Sequence, residues 1–425
     1  MSLFYKCFKN NTKVFIIIHM KKLELLAPVG DKERLIAAVH FGCDAVYFGG
    51  TRFGLRAFAN KFDEEAIIES VKYCHERNVK VYVTVNILAH NSDFNGMIDY
   101  LKFLDEAGVD AVIVSDLGIA SLVKEHTNLE LHVSTQANIT NIYSAKMWVK
   151  LGAKRLVLAR ELSIKEIKDI KEAVGDDVDI ECFCHGAMCI SYSGRCLLSN
   201  YFVGRDSNKG ACAQPCRWNY ALYNKDIQNE NGEYFPVEED ERGTYILNSK
   251  DMCLIEHIKE LAEAGITSFK IEGRMKSTYY VATVVNAYRR AIDAYLNNIN
   301  LDFDLIEELR KTSNRAFTTG FYFGANDKTN IESSKLLQTH EFIALVLENS
   351  KDGKVLVELR NKFFKGDKVE VLSSGEAFNK TLIIEEITDE AGNAYDEVKK
   401  VKQRLYIKTD LTLKKNDILR RKIEQ

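Results

Sequence analysis

Three features are scarce in this sequence, and each absence narrows the possibilities. Only three of 425 residues are proline, which argues against a proline-rich linker between domains. Charge of one sign is also lacking, because 58 Lys and Arg stand against 61 Asp and Glu, for a net charge of −3. A nucleic-acid partner would therefore have to be bound by a local basic patch.

Long apolar runs are lacking as well. The run Val14–Ile18 near the N-terminus is too short for a signal sequence or a membrane span. We interpret residues 1–19 as an N-terminal extension, because the sequence after Met20 is typical of a first strand. The sequence predicts a cytoplasmic protein with no membrane partner.

Cysteine, in contrast, is concentrated in one segment. Six of the ten cysteines lie between Glu181 and Arg217, together with His185. Such density in a large chain indicates chemistry or metal binding, not core filling. A disulfide framework is disfavoured, because chains of this length without a small-scaffold composition are typical of reducing compartments.

The first part of the chain alternates short apolar runs with amphipathic, helix-length segments. This pattern predicts βαβ units and a parallel sheet buried on both faces. Eight such units, ending with Thr267–Ile271, favour a closed (β/α)8 TIM-like barrel over an open doubly wound sheet. We expect the barrel domain to span 20–333, with a cysteine-rich insertion and hairpin at about 182–253, and a small C-terminal β-barrel domain to span 334–425.

Polar residues recur where the predicted strands end, which is where barrel enzymes carry their sites. Each of them alone is an ordinary capping or loop residue, but their convergence at one rim is typical of a ligand pocket. The candidates from this rim are Arg56, Asn138, Arg160, His185, Glu272 and Arg274. His185 is open to three interpretations: a hydrogen-bond donor beside a cluster, a substrate ligand, or a packed polar residue.

The cysteine spacing by itself leaves the kind of site open. Only Cys212-x3-Cys216 has the close spacing typical of structural zinc sites. An iron–sulfur cluster tolerates wider spacing when a folded frame positions its thiolates. A nucleophilic Cys–His pair, Cys184 or Cys189 with His185, lacks a recognisable third, orienting group.

Several sequence blocks together resemble the collagenase-like U-32 peptidase family. They are His185-Gly-Ala-Met-Cys189, Tyr192-Ser-Gly-Arg-Cys196, Gly210-Ala-Cys212, Gln214-Pro-Cys-Arg217 and Lys270-Ile-Glu-Gly-Arg-Met-Lys276. The resemblance implies hydroxylation machinery more than proteolysis, and a 4Fe-4S cluster on Cys189, Cys196, Cys212 and Cys253. Cys216 is the rival for the fourth ligand position.

The C-terminal module makes the chain most similar to the branch that hydroxylates tRNA wobble uridine with a prephenate-type cosubstrate. The resemblance therefore predicts tRNA as a partner and leaves open a second family member as another. We assign catalytic roles to His185, Glu272 and Asn138. Arg56, Arg160, Arg195 and Arg274 are candidates to bind a dicarboxylate, because guanidinium groups pair bidentately with carboxylates.

Two other functions remain open at this point: a collagenase-like peptidase, and a cluster-bearing accessory subunit of another hydroxylation system. The C-terminal residues 399–425 contain ten Lys and Arg against three acids. They form either a solvated charged surface or a patch for the RNA backbone.

Overall fold

Eight short parallel strands alternate with helices in the N-terminal three quarters of the chain. The computed structural model describes residues 4–6, 15–17, 23–54, 62–189, 191–218, 223–225, 234–236, 249–324 and 336–424. The barrel strands are β1 (Glu24–Pro28), β2 (Ala45–Phe48), β3 (Lys80–Val85), β4 (Ala111–Val114), β5 (Glu130–Val133), β6 (Arg155–Val157), β7 (Asp179–Ala187) and β8 (Ser268–Ile271). Each strand pairs with the next, and β8 pairs with both β7 and β1. The predicted closed (β/α)8 barrel is thereby confirmed.

Ten helices are described in the barrel domain, and several of them begin at polar caps. They are α1 (Lys32–His40), α2 (Glu64–His75), α3 (Met97–Glu106), α4 (Leu117–His126), α5 (Ile142–Lys150), α6 (Ile164–Val174), α7 (Leu198–Val203), α8 (Ile258–Glu263), α9 (Thr278–Asn297) and α10 (Leu305–Arg310). Asp31, Asp116 and Ser163 accept hydrogen bonds from backbone N–H groups in the first turn of α1, α4 and α6. Such caps satisfy donors that the helix leaves unpaired, and they fix where each loop ends.

The barrel interior contains a buried layer of charge at the amino ends of the strands. Arg155 contacts Glu24 and Glu181, and the Lys270 ammonium lies 2.7 Å from a Glu181 carboxylate oxygen. Burial alone would raise the pKa of Glu181, but Lys270 and Arg155 lower it below its ordinary value. The carboxylate therefore stays ionised and holds the Lys270 ammonium in place. The main apolar core lies outside this layer, between the strands and the helices.

The barrel wall is extended beside β7. The strand Asp251–Cys253 pairs antiparallel with the end of β7, and Phe317–Thr318 pairs with Asp251–Cys253. Within the insertion, Tyr223–Lys225 pairs antiparallel with Tyr234–Pro236. Residues 219–222, 226–233 and 237–248 of the same insertion lie outside the described residues.

The second domain is an antiparallel β-structure, as the alternating C-terminal pattern predicts. Its strands are β9 (His340–Val346), β10 (Lys354–Leu359), β11 (Lys368–Leu372), β12 (Thr381–Ile383), β13 (Ile387–Thr388), β14 (Arg404–Lys408) and β15 (Ile418–Lys422). They pair in the order β12-β11-β15-β9-β10-β14-β13 around their own apolar core.

A buried ion-pair network joins the two domains. The Arg420 guanidinium is fully buried and makes two hydrogen bonds to Glu308, of 2.7 and 2.9 Å. Glu370 and Asn379 accept from the same guanidinium. On the other side, Arg360 donates to Glu33 at the start of α1. The second domain is thus fixed against the barrel next to the carboxyl end of β1.

At the N-terminus, Phe4–Lys6 and Phe15–Ile17 form a two-stranded antiparallel pair. The rest of the predicted extension at 1–19 lies outside the described residues. Among the helices that the structure describes, none is both long and apolar enough to cross a bilayer.

Candidate active site

A cavity of about 170 Å³ opens at the carboxyl ends of the barrel strands. Its floor is formed by strand-end side chains: Tyr47, Thr84, Asn86, Ser134, Gln136, Arg160, Phe183, Lys270, Glu272 and Arg274. Its roof comes from the segment after β7: Cys189, Tyr192, Ser193, Cys196, Asn208, Cys212, Cys216 and Arg217. The cysteine-rich segment therefore covers the functional end of the barrel.

Four thiols line this cavity together. Cys189 is exposed, and Cys196, Cys212 and Cys216 are half-buried. Burial raises the pKa of the Cys216 thiol; Arg217 opposes the rise, and the neighbouring Cys189, Cys212 and Cys196 add to it. Among the described residues, no three His, Cys, Asp or Glu side chains are close enough to hold a single metal ion. In a four-iron cluster each cysteine bonds a different iron, so its ligands stand further apart than those of one ion.

Cys253 is placed apart from these four thiols. It lies on the strand beside β7, opposite His185, and its sulfur is 4.0 Å from the Tyr288 hydroxyl of α9. Burial raises its pKa to about 12. The structure therefore brings three of the predicted ligands together and adds Cys216 to them, while Cys253 packs between the barrel wall and α9.

Arg160 fastens the cysteine-rich segment to the barrel. Its buried guanidinium donates to the Ala187 carbonyl at 3.0 Å and to the Ser193 hydroxyl at 2.8 Å. Burial would lower the pKa of Arg160, but the neighbouring Cys189 and Glu272 side chains raise it. This arginine was predicted to bind substrate. Its hydrogen bonds to Ala187 and Ser193 instead hold the roof, although the side chain also lines the cavity beside Cys189.

Glu272 and Arg274 occupy the floor next to Lys270. The Arg274 guanidinium donates to the Thr84 hydroxyl at 3.1 Å. Gly186 makes this arrangement possible, because it has φ +109° and a Cβ built there would lie 2.5 Å from the Glu272 carbonyl oxygen. Only glycine tolerates both this backbone conformation and this approach. The floor of the cavity therefore contains two cationic side chains, Lys270 and Arg274, and the Glu272 carboxylate.

Asn138 and Arg195 do not line this cavity, but both are connected to its roof. Asn138 has φ +53°; its amide donates to the Ser193 carbonyl at 3.0 Å, and its amide oxygen accepts from Arg195 at 2.8 Å. Arg195 lines a smaller neighbouring cavity of about 50 Å³, with Gln136 and Gly194. Asn138 is therefore placed to position the roof and Arg195.

His185 lies behind the wall of the site. Its ring packs among Tyr280, Tyr288 and Phe317, with ring centroids 5.5 to 6.0 Å away. Burial lowers its pKa to about 3, so the ring is neutral at neutral pH. It does not line the cavity defined by the described residues. Arg56, the remaining predicted residue, lies outside the described residues.

Sequence reasoning missed Tyr47, Thr84 and Lys270, because they lie within strands and not after them. The available signal was the two-residue alternation, which places Lys270 on the same face as Glu272. The cavity is therefore lined both by residues inside the barrel strands and by residues that follow them.

The fold and the site together define a class of protein: a (β/α)8 barrel whose cavity is covered by a cysteine- and arginine-rich segment, with an antiparallel β-domain attached. Family models agree with this description. The model "Peptidase family U32" matches residues 30–332, and "Peptidase family U32 C-terminal domain" matches 338–420. The chain belongs to peptidase family U32.

Three relatives of this chain have names that indicate one of two activities, tRNA hydroxylation or collagen cleavage. The chain is 43% identical to tRNA hydroxylation protein P1 of Bacillus subtilis, over 97% of this chain and 99% of that protein. It is 37% identical to tRNA hydroxylation protein P of Escherichia coli, over 85% and 89% of the two chains. It is also 36% identical to a collagenase of Porphyromonas gingivalis, over 72% and 75%.

Proposed function

We propose that this protein is a tRNA-modifying enzyme that hydroxylates the wobble uridine to 5-hydroxyuridine in the cytoplasm. The observation that carries the proposal is the cavity itself, where four cysteines face two arginines and a lysine at the carboxyl ends of the barrel strands. Relatives named tRNA hydroxylation proteins, matched over most of their length, support a role in tRNA hydroxylation.

The thiols fit a 4Fe-4S cluster better than a single ion. Cys189, Cys196 and Cys212 are the predicted ligands that share the cavity, and Cys216 is the fourth thiol in its lining. When bound, such a cluster supplies electron or oxygen-atom transfer. Arg160, beside Cys189, holds the roof in place and provides positive charge next to the cysteines.

The cations of the floor suit a dicarboxylate cosubstrate of the prephenate type. Arg274 and Lys270 both line the cavity, and Lys270 also pairs with Glu181. A guanidinium orients a carboxylate in one plane, and Lys270 adds a point charge. Glu272, between them in sequence, also lines the cavity and is our candidate to accept a proton from the substrate base.

The second domain contributes less RNA-binding charge than its sequence indicates. Among the basic residues of 399–425, Arg404, Lys408, Arg420 and Arg421 pair with acidic side chains. Lys399, Lys400 and Lys402 remain in the loop before β14, close to the half-exposed Phe364, whose strand pairs with Glu397–Val398. This end of the domain is the candidate contact for the tRNA backbone.

The test is mass spectrometry of tRNA from a deletion strain carrying plasmid-borne variants. We expect hydroxyuridine to disappear on deletion and to return with the wild-type gene. Unchanged hydroxyuridine in the deletion strain contradicts the proposal. Cleavage of gelatin by the pure protein would support instead the activity named for the Porphyromonas gingivalis relative.

The ligand set has a separate test. Protein purified without oxygen should contain iron and sulfide, and Cys216→Ala should lose iron as Cys189→Ala does. Cys253→Ala is the matched control, because this thiol lies in the core beside Tyr288. Iron lost from Cys253→Ala and retained by Cys216→Ala would restore Cys253 as the fourth ligand.

A further inference from the structure

Three aromatic rings form an exposed strip beside the mouth of the cavity. Tyr201 and Phe202 lie on α7, and Trp218 follows the turn Pro215–Arg217. Their exposed fractions are 84%, 47% and 39%. Phe202 joins the strip, with ring centroids 5.5 Å from Tyr201 and 6.2 Å from Trp218. Large contiguous apolar surface of this kind marks an interaction site.

The strip is continuous with the roof of the cavity. Leu198 of α7 and Arg217, which directly precedes Trp218, both line the cavity. Tyr192, also in the lining, is half-exposed at its mouth. A molecule that enters the cavity therefore passes next to the strip.

The segment that carries the strip has a net positive charge. Between residues 191 and 218 the sequence has Arg195, Arg205, Lys209 and Arg217 against the single acid Asp206. Lys209 pairs with Asp93, but Arg195 and Arg217 donate to the neutral oxygens of Asn138 and Gln214 and so keep their net charge there. The Asp206 carboxylate accepts from the Asn208 backbone in its own turn.

We propose that the aromatic strip, Tyr201–Phe202–Trp218, stacks the unpaired bases of RNA that flank the base entering the cavity. Planar rings beside fixed guanidinium groups are the combination that binds single-stranded nucleic acid without reading its sequence. A protein partner would more commonly cover such rings with apolar surface, and the positive charge beside them favours a polyanion. The inference rests on the proposed function, because it names how the same site holds its substrate.

The experiment measures binding of the full-length protein to two fluorescein-labelled RNAs by anisotropy. One is a hairpin with unpaired uridine in its loop, and the other is a fully paired duplex. We expect Tyr201→Ala to bind the hairpin roughly tenfold more weakly, which is the effect of losing one base–aromatic stack. Tyr201→Phe should retain wild-type affinity, because stacking needs the ring and not the hydroxyl.

The matched control is Tyr295→Ala. This tyrosine is 37% exposed near the C-terminus of α9. The N-terminus of α9 follows the carboxyl end of β8, so Tyr295 lies at the end of the helix away from the cavity. It should leave hairpin affinity unchanged, and duplex affinity should be equal in all variants.

Three outcomes would overturn the RNA-binding role of the strip. The first is equal hairpin affinity of Tyr201→Ala and wild type, and the second is an equal loss in Tyr201→Ala and Tyr295→Ala. The third is that Tyr201→Ala loses self-association or protein binding but keeps its RNA affinity. The last outcome would assign the strip to a protein partner. Failure of the proposed function is distinguishable, because a deletion strain that keeps hydroxyuridine leaves the RNA-binding result of Tyr201→Ala intact.

Discussion

Replacing Arg160 by methionine should release the cysteine-rich segment from the barrel without unfolding the barrel. The change removes hydrogen bonds from a buried guanidinium to the Ala187 carbonyl and the Ser193 hydroxyl, of 3.0 and 2.8 Å. A hydrogen bond to a charged group contributes about 1.5–3 kcal/mol, so the two together stabilise the closed segment by at least ~3 kcal/mol. The contact of Arg160 with the Phe183 ring, 5.0 Å to its centroid, is lost as well.

The assay is native-state hydrogen exchange of backbone amides in 191–217. A loss of ~3 kcal/mol in the free energy of opening makes exchange there about 100-fold faster, while the barrel strands keep their protection. Arg195→Met is the matched control, because this exposed arginine donates to a neutral amide on Asn138 and should cost less than ~1 kcal/mol. Unchanged protection in Arg160→Met, or equal effects of both substitutions, would refute this reasoning.

Two further predictions concern stability. Arg420→Met leaves Glu308 buried with less compensating charge, so the free energy of unfolding in urea should fall by about 3 kcal/mol. Arg404→Met removes an exposed ion pair and is the control, which should cost under ~1 kcal/mol. Equal losses in the two variants would contradict a stabilising role of the buried network. The buried His185 has a pKa lowered from 6.5 to about 3, so the unfolded chain binds the extra proton. Its contribution is complete above pH 6.5 and is lost as the pH falls toward 3. At about pH 5 the loss amounts to roughly 2 kcal/mol, which His185→Asn should abolish; an unchanged pH dependence would contradict the assignment.

Much of the barrel could be predicted because its signals are local. A parallel strand covered on both faces reads as a short apolar run, and capping residues such as Asp31 and Ser163 mark where each helix begins. The location of the site followed from the same pattern, since the carboxyl ends of parallel strands meet at one end of a barrel. Glu272, Arg274 and Arg160 all lie in the cavity for this reason.

The roles of individual side chains could not be predicted in the same way. Arg160 and Arg274 look alike in the sequence, yet one fastens the roof and the other lies on the floor. His185 and Phe183 are two positions apart on β7, but the register between β7 and β8 shifts at Lys270 and Ile271. Phe183 therefore lines the cavity, while His185 packs against α9. A shift of one residue in register reverses the face to which a side chain points.

The sequence by itself determined the barrel, the position of its site and the family, because these depend on periodic burial and on blocks of residues close together in the chain. Only the tertiary structure decided how the cysteines are divided. Cys182, Cys184 and Cys253 are buried in the core around β7, whereas Cys189, Cys196, Cys212 and Cys216 share the cavity. The physical reason is that strand register and loop path, which depend on contacts between distant residues, determine which thiols face each other.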